Sequence, residues 1–283
     1  MPSFSNYVVG GAVRLHLGPH FDRARRDAET LLLHLLGKNR AWMLAHLDDE
    51  LGYEWAEQYI ALLERRFAGE PIQYIVGEAE FYRLPFRITP DVLIPRPETE
   101  HAVEKALELA AKFLNPRIVD VGTGSGAIAV ALAHELPEAF VTATDLSAMA
   151  LNVARENAER NGVAERIRFF EGDLLEPVAG EQFDIVVSNP PYVPEGDRES
   201  LAVEVREYEP GQALFAGADG LDVYLRLIPQ AFAALAPGGY LVLEIGHGQE
   251  PPVGALLGES GFENIEFTPD LQGIPRVACA QRK

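Results

Sequence analysis

Ile118-Val119-Asp120-Val121-Gly122-Thr123-Gly124-Ser125-Gly126-Ala127 reads as a buried strand, a glycine-rich turn and the start of a helix. Glycines permit positive φ and let a ligand approach the backbone, and the helix start presents N–H groups without intrahelical partners. Gly124, Gly126 and Ala129 also satisfy the spacing of a dinucleotide loop, so an NAD-dependent enzyme is one candidate. Spacing alone does not separate that reading from other nucleoside-binding turns.

Around this stretch the chain alternates strand and helix. Residues 117–121, 140–145, 167–171, 183–188 and 240–245 are short apolar runs, and residues 127–135, 148–161 and 221–235 have helical spacing between them. Strand-helix alternation predicts an α/β fold with a doubly wound, mainly parallel sheet. A helix around 252–257 and two strand-like segments, 264–268 and 276–280, fit a terminal antiparallel pair that brings the sheet to seven strands.

Upstream the period changes. Ala24, Ala28, Leu31, Leu32 and Leu35 fall on one face of a helix over 21–36 that Gly37 closes, and helices over 41–47 and 54–67 follow. The first 76 residues therefore predict a small helical bundle, with Trp42 and Trp55 in its core or its contacts. His16 and His20 are four apart, but Gly18 and Pro19 break any helix that would align them on a metal. Alternation around Phe81, Leu84, Phe86 and Ile88 predicts a hairpin. Then comes Ile94-Pro95-Arg96-Pro97-Glu98-Thr99-Glu100, whose prolines hold the chain extended. Thr99 or Glu98 is expected to cap the helix through Ala102, Ala106 and Leu109. The segment is either a rigid linker or a lid edge that carries Arg96 towards a site.

Of 283 residues, 24 are Lys or Arg and 43 are Asp or Glu, a net charge of −19. Residues 1–90 carry only −2 of it, with 10 basic and 12 acidic residues. The acidic remainder opposes non-specific attraction to phosphates, so no direct nucleic-acid partner is expected. No apolar run approaches the roughly 20 residues that span a bilayer, and Met1 to Val9 lacks signal-peptide features, which predicts a soluble, cytoplasmic protein without a membrane partner. The one cysteine, Cys279, excludes an internal disulfide and a cysteine-rich zinc site, and reads as a small buried hydrophobe. No metal is expected.

Chemistry gathers at the carboxyl ends of the strands. Asp145 ends the second strand about 20 residues after the glycine turn, where an acid can accept ribose hydroxyls. Asp173 and Leu174 follow the third strand and would meet an adenine amino group and its flat face. After the fourth strand stands Ser188-Asn189-Pro190-Pro191-Tyr192, where two prolines end the strand and aim the Asn189 carboxamide out of the sheet. One acceptor oxygen, proline carbonyls and an aromatic face suit a planar group bearing an NH2. A plain strand-to-loop turn has the same local chemistry.

With these pieces aligned, the sequence resembles the class I, S-adenosylmethionine-dependent methyltransferases. More narrowly, it is similar to the protein-(glutamine-N5) methyltransferases of peptide chain release factors. The resemblance runs from about Gly69 to the C-terminus, through 94–100, 120–126, Asp145, 188–193, Tyr208-Glu209-Pro210, Ala218-Asp219-Gly220-Leu221 and Leu243-Glu244-Ile245-Gly246. It implies a Rossmann-like domain over 99–283, a hairpin and linker over 77–98, and a helical substrate-recognition domain over 1–76. S-adenosyl-L-methionine would lie against Gly122, Thr123, Gly124, Ser125, Gly126, Asp145, Asp173, Leu174 and Asn189. Asn189, Pro190, Pro191 and Tyr192 would hold the glutamine, with Asn189, Pro190 and Tyr192 carrying catalysis. Leu174 departs from the family, many of whose members place an aromatic there, so stacking on adenine is replaced by apolar packing. Expected products are the methylated release-factor glutamine and S-adenosyl-L-homocysteine, made by a monomer.

Asn-Pro-Pro-Tyr is shared with DNA adenine-N6 methyltransferases, so the motif specifies an NH2 acceptor without choosing glutamine over a nucleobase. A sibling activity on a ribosomal-protein glutamine also stays open, as does a non-catalytic protein that keeps the fold.

Overall fold

The computed structural model describes residues 1–270 and 272–283. By its internal contacts the chain divides into two compact units, Met1–Glu78 with Leu201–Tyr208, and Ala79–Ser200 with Glu209–Lys283.

The first unit begins with helices α1 (Phe4–Leu15), α2 (Ala24–Leu36), α3 (Arg40–Ala45), α4 (Ala56–Phe67) and α5 (Ile72–Val76). The periodicity of α2 and α4 holds, and Ala28, Leu31, Leu32, Tyr59 and Leu63 are buried together with Phe4. Trp42 packs edge-on against Phe4 at 5.9 Å between ring centroids, consistent with the core role expected of it. Helix α1 is not visible in the sequence pattern because Gly10 and Gly11, poor helix formers, interrupt it. Packing and capping override that propensity. Ser3 and Asn6 form a reciprocal capping box. A Cβ on Gly11 would lie 2.3 Å from the Tyr59 hydroxyl, so only glycine lets α1 approach α4 this closely.

The second unit opens with the hairpin β1 (Glu78–Phe81) and β2 (Leu84–Arg87), followed by α6 (Glu100–Ala110). Then come β3 (Arg117–Val121), α7 (Ala127–Glu135), β4 (Phe140–Asp145), α8 (Ala148–Arg160), β5 (Ile167–Glu171) and β6 (Phe183–Ser188). The chain passes through α9 (Val203–Tyr208) and returns in α10 (Asp222–Ala234), β7 (Leu235–Glu244), α11 (Glu250–Glu259), β8 (Glu263–Pro269) and β9 (Pro275–Gln281).

The seven-stranded sheet has the order β5-β4-β3-β6-β7-β9-β8, parallel except for β9, which runs antiparallel to both neighbours. This is the expected doubly wound α/β architecture. Strands β3, β4 and β5 advance to one side and β6 and β7 to the other, so the order reverses between β3 and β6 and leaves a crevice at their carboxyl ends. Helix α7 is apolar on every side and buried from Ala127 to Ala133, which fixes the helix behind the glycine turn. Cys279 is buried in β9, and burial pushes its thiol up to about 11, as a small hydrophobe would show.

Segment 201–208 belongs to the helical unit through charge and carbonyl contacts. The Arg66 guanidinium, 1% exposed, donates to Asp27 at 2.6 Å and to Glu204 at 3.0 Å. It also donates to the Glu70 carbonyl at 2.9 Å, while the Tyr208 hydroxyl donates to the Ala68 carbonyl at 3.2 Å. Among the described residues no helix is long and apolar enough to cross a membrane.

Candidate active site at the carboxyl edge of the sheet

The glycine turn is held by the strand beside it. The N–H groups of Gly122 and Thr123 both donate to the Thr144 carbonyl, at 2.9 and 3.0 Å, and Gly124 N–H donates to Asp145 Oδ2 at 2.8 Å. Gly122 and Gly124 have φ of 71° and 55°, and a Cβ on either would meet nothing within 4 Å. Their backbone therefore faces open space, as a ligand cradle requires. Asp145 ends β4, and its other oxygen accepts from Ser147 N–H at 2.9 Å. Burial raises the Asp145 carboxyl, opposed by the N–H groups of Ser147, Gly124 and Leu146.

Behind the turn, Asp120 is fully buried. Its Oδ2 accepts from the Thr123 hydroxyl at 2.6 Å and from Ala129 N–H at 3.1 Å, while Oδ1 has no hydrogen-bond partner among the described residues. Burial pushes its carboxyl up to about 7, with nearby Asp145 adding to the rise and the two hydrogen bonds opposing it.

A cavity of about 190 Å³ opens against Gly122, Gly124, Asp145, Asp173, Leu174, Asn189 and Pro191. Six of the nine residues that the sequence suggests for the cofactor thus line one space. Thr123, Ser125 and Gly126 do not. Thr123 and Ser125 are buried and support the turn from behind: the first binds Asp120, and the Ser125 carbonyl accepts from Asn157 at 2.9 Å. Gly126 lets α8 approach, since a Cβ there would sit 3.1 Å from that of Ala154. Leu174 adopts a left-handed φ of 50°, costly for a branched side chain, and it lines the cavity. Asp173 is paired with Arg226, another lining residue that the sequence pattern does not mark.

Asn189 also lines a second, smaller cavity of about 50 Å³ with Tyr192 and Arg96. The Pro-rich segment therefore carries Arg96 to the site, where its guanidinium meets Glu209 at 2.6 Å. Pro190 is buried and Pro191 faces the larger cavity. The loop is pinned on its far side by Val193 N–H donating to the Leu214 carbonyl at 2.8 Å and by Gln249 Nε2 donating to the Tyr192 carbonyl at 3.1 Å. Gly220 explains itself here: a Cβ would lie 2.2 Å from that carbonyl oxygen.

Thr99 does not cap α6. It is buried, makes no cap hydrogen bond, and turns inward, because Pro97 opens a separate single turn over Pro97–Thr99 that leads into the helix. Its hydroxyl donates to Glu244 Oε2 at 2.6 Å and accepts from Asn189 Nδ2 at 3.0 Å. Glu244 Oε1 accepts from the Tyr192 hydroxyl at 3.1 Å. Glu244, at the end of β7, is 2% exposed. Among the described residues no group of three or more His, Cys, Asp or Glu side chains is placed to hold a metal ion.

Residues 102–206 match the methyltransferase small domain and residues 14–77 the PrmC N-terminal domain. The release factor glutamine methyltransferase of Moorella thermoacetica is 44% identical over 98% of both chains, and that of Koribacter versatilis is 42% identical over 91% of both. In fold the chain is similar to a T. thermophilus 16S rRNA N2 G1207 methyltransferase in complex with AdoMet and guanosine. The TM-score is 0.54 at 22% identity, over 73% of this chain and 50% of that one. A glycine turn at the switch point, an acid ending the next strand and an Asn-Pro-Pro-Tyr loop beside them agree with these matches over nearly the whole length: the chain belongs to the release factor glutamine methyltransferase family.

Proposed function

We propose that this chain transfers a methyl group from S-adenosyl-L-methionine to the side-chain amide nitrogen, N5, of the glutamine in the GGQ motif of peptide chain release factors. One observation carries the reading: Asn189 lines both the cavity at the glycine turn and the smaller one beside Tyr192 and Arg96, so a single side chain faces the place of a donor and the place of an acceptor.

The donor fits the residues present. Gly122 and Gly124 leave room for a close backbone approach, Asp145 stands at the strand end for the ribose, and Leu174 offers an apolar face to adenine. Asp120 keeps a bare buried oxygen behind the turn, and a cationic ligand at the turn would favour its ionised form. When bound, S-adenosylmethionine supplies an electrophilic methyl on a sulfonium.

The chain's own residues prepare the nucleophile. An amide nitrogen is a poor one because its lone pair is delocalised into the carbonyl. Asn189 Oδ1 and the Pro190 carbonyl accept its two N–H groups, orient the nitrogen towards the donor, and favour the pyramidal geometry of the transition state. The Tyr192 ring, tied at its hydroxyl to Glu244, limits rotation of the glutamine. Holding the reacting atoms about 3–3.5 Å apart supplies much of the acceleration, and the proton departs after transfer without a strong base. The helical unit, less acidic than the rest of the chain, would recognise the protein substrate. The protein would act in the cytoplasm as a monomer.

Incubation with labelled S-adenosylmethionine and three acceptors tests this reading: a release factor, a ribosomal protein bearing a methylatable glutamine, and duplex DNA. Label on the release factor alone is expected. Label on the ribosomal protein or on DNA instead overturns the choice of substrate.

A further inference from the structure

A carboxamide is ambiguous. Turning Asn189 by half a revolution about its last bond exchanges an acceptor oxygen for an NH2 with little change of shape, and only the oxygen can receive an N–H of the substrate amide. Something must choose the face. Resting on the methyl-transfer reading above, we propose that Thr99 and the buried Glu244 are positioning residues that fix Asn189 with its oxygen towards the acceptor, and that this orientation requires Glu244 to be ionised.

The argument follows from counting hydrogens. Thr99 has one hydroxyl hydrogen, and it is directed to Glu244 Oε2 at 2.6 Å, the shortest contact of the set. Towards Asn189, 3.0 Å away, the Thr99 oxygen can therefore only accept. Asn189 must present Nδ2 to it, which turns Oδ1 away from Thr99. The second Glu244 oxygen accepts from Tyr192 at 3.1 Å, so one carboxylate orders both the amide and the ring of the acceptor loop.

Protonation reverses the polarity. A neutral Glu244 that donates to Thr99 releases the Thr99 hydrogen towards Asn189, and the carboxamide then satisfies it by presenting its oxygen. Its NH2 now faces the substrate NH2, donor against donor. The groups that bear on Glu244 come from several elements. Burial raises its carboxyl and Glu98 within the Pro97–Thr99 turn raises it further, whereas Thr99, Tyr192 and Arg276 of β9 lower it. Tyr224 of α10 donates to the Glu244 backbone carbonyl at 2.9 Å. Burial is the largest influence and leaves the carboxyl above the ordinary glutamate value. Methyl transfer is thus expected above the Glu244 titration and is lost as pH falls through it.

Kinetics and spectroscopy together test the relay. Turnover of a release factor is measured from about pH 5 to about pH 9 for wild type, Thr99→Val, Thr99→Ser and Glu244→Gln. In parallel, the Asn189 side-chain NH2 signals, assigned by their loss in Asn189→Asp, are followed by nitrogen-proton NMR. Thr99→Val should lower kcat by about 10–100-fold with an unchanged KM for S-adenosylmethionine, and Thr99→Ser should recover to within about threefold of wild type. Glu244→Gln, which keeps one acceptor oxygen for the two donors Thr99 and Tyr192, should lower kcat and lose the acid limb of the pH profile. The Asn189 signals should titrate with that limb in wild type and not in Glu244→Gln. Wild-type turnover in Thr99→Val, no rescue by serine, an unchanged acid limb in Glu244→Gln, or Asn189 signals that ignore pH would overturn the relay. A wild-type protein that methylates nothing while its Asn189 signals titrate would overturn the functional reading and leave the relay standing.

Discussion

Asn189→Ala is expected to lower kcat for release-factor methylation by roughly 5- to 150-fold at saturating S-adenosylmethionine, a larger effect than on the affinity for that donor, while the melting temperature stays close to wild type. The change removes the acceptor oxygen proposed to hold one N–H of the substrate amide. A buried donor left unpaired costs about 1–3 kcal/mol, which converts directly to that range when the contact matters at the transition state. It removes little else. Asn189 is half-buried, among the described residues its side chain hydrogen-bonds to Thr99 alone, and the loop around it is held by the Val193, Gln249 and Gly220 contacts. Single-turnover rates with saturating donor, beside calorimetric binding of S-adenosyl-L-homocysteine, check the split. Turnover near wild type would remove Asn189 from the acceptor site.

Arg66→Ala should destabilise the helical unit by about 3–5 kcal/mol, because it strands a buried carboxylate whose partner has gone. Asp27 is 3% exposed and pairs with Arg66. Glu204 would lose one of the contacts that tie the returning segment 201–208 to the helices and keep longer ones to His20 and Arg23. Arg66→Lys should recover part of the loss, since an ammonium cannot reproduce a planar fork directed to Asp27, Glu204 and the Glu70 carbonyl together. Urea denaturation followed by the fluorescence of Trp42 and Trp55, both in this unit, reads the change. A loss below about 1 kcal/mol would mean that the pair contributes no more than a surface bridge.

The fold and the site were legible to different depths, for physical reasons. Strands that begin and end at turn residues, and a glycine turn that must admit a ligand, write their constraints into neighbouring positions. The sheet, the cavity at Asp145 and the acceptor loop at Asn189 follow from those. Helix α1 is hidden in the sequence because one of its glycines, Gly11, answers to a helix more than 40 residues away, where it yields space to the Tyr59 hydroxyl. Thr123 and Ser125 sit among residues that line the cavity, yet they point inward, and adjacency in a turn carries no sign of direction. Thr99 departs from its expected role for a related reason. Its position before a helix is that of a cap, and its partner Glu244 lies 145 residues downstream. Leu243-Glu244-Ile245-Gly246 was visible as a family-like segment, but a buried acid reveals its purpose only when the groups it touches are known.

The central claim is that the NH2 received beside Asn189 belongs to a glutamine side chain. Tandem mass spectrometry of a release factor after incubation with S-adenosylmethionine and this protein tests it most directly. The account predicts one methyl group, on the side-chain amide nitrogen of the GGQ glutamine. Methyl on another atom or residue, or an unmodified GGQ peptide under conditions where a DNA adenine is methylated, would contradict it.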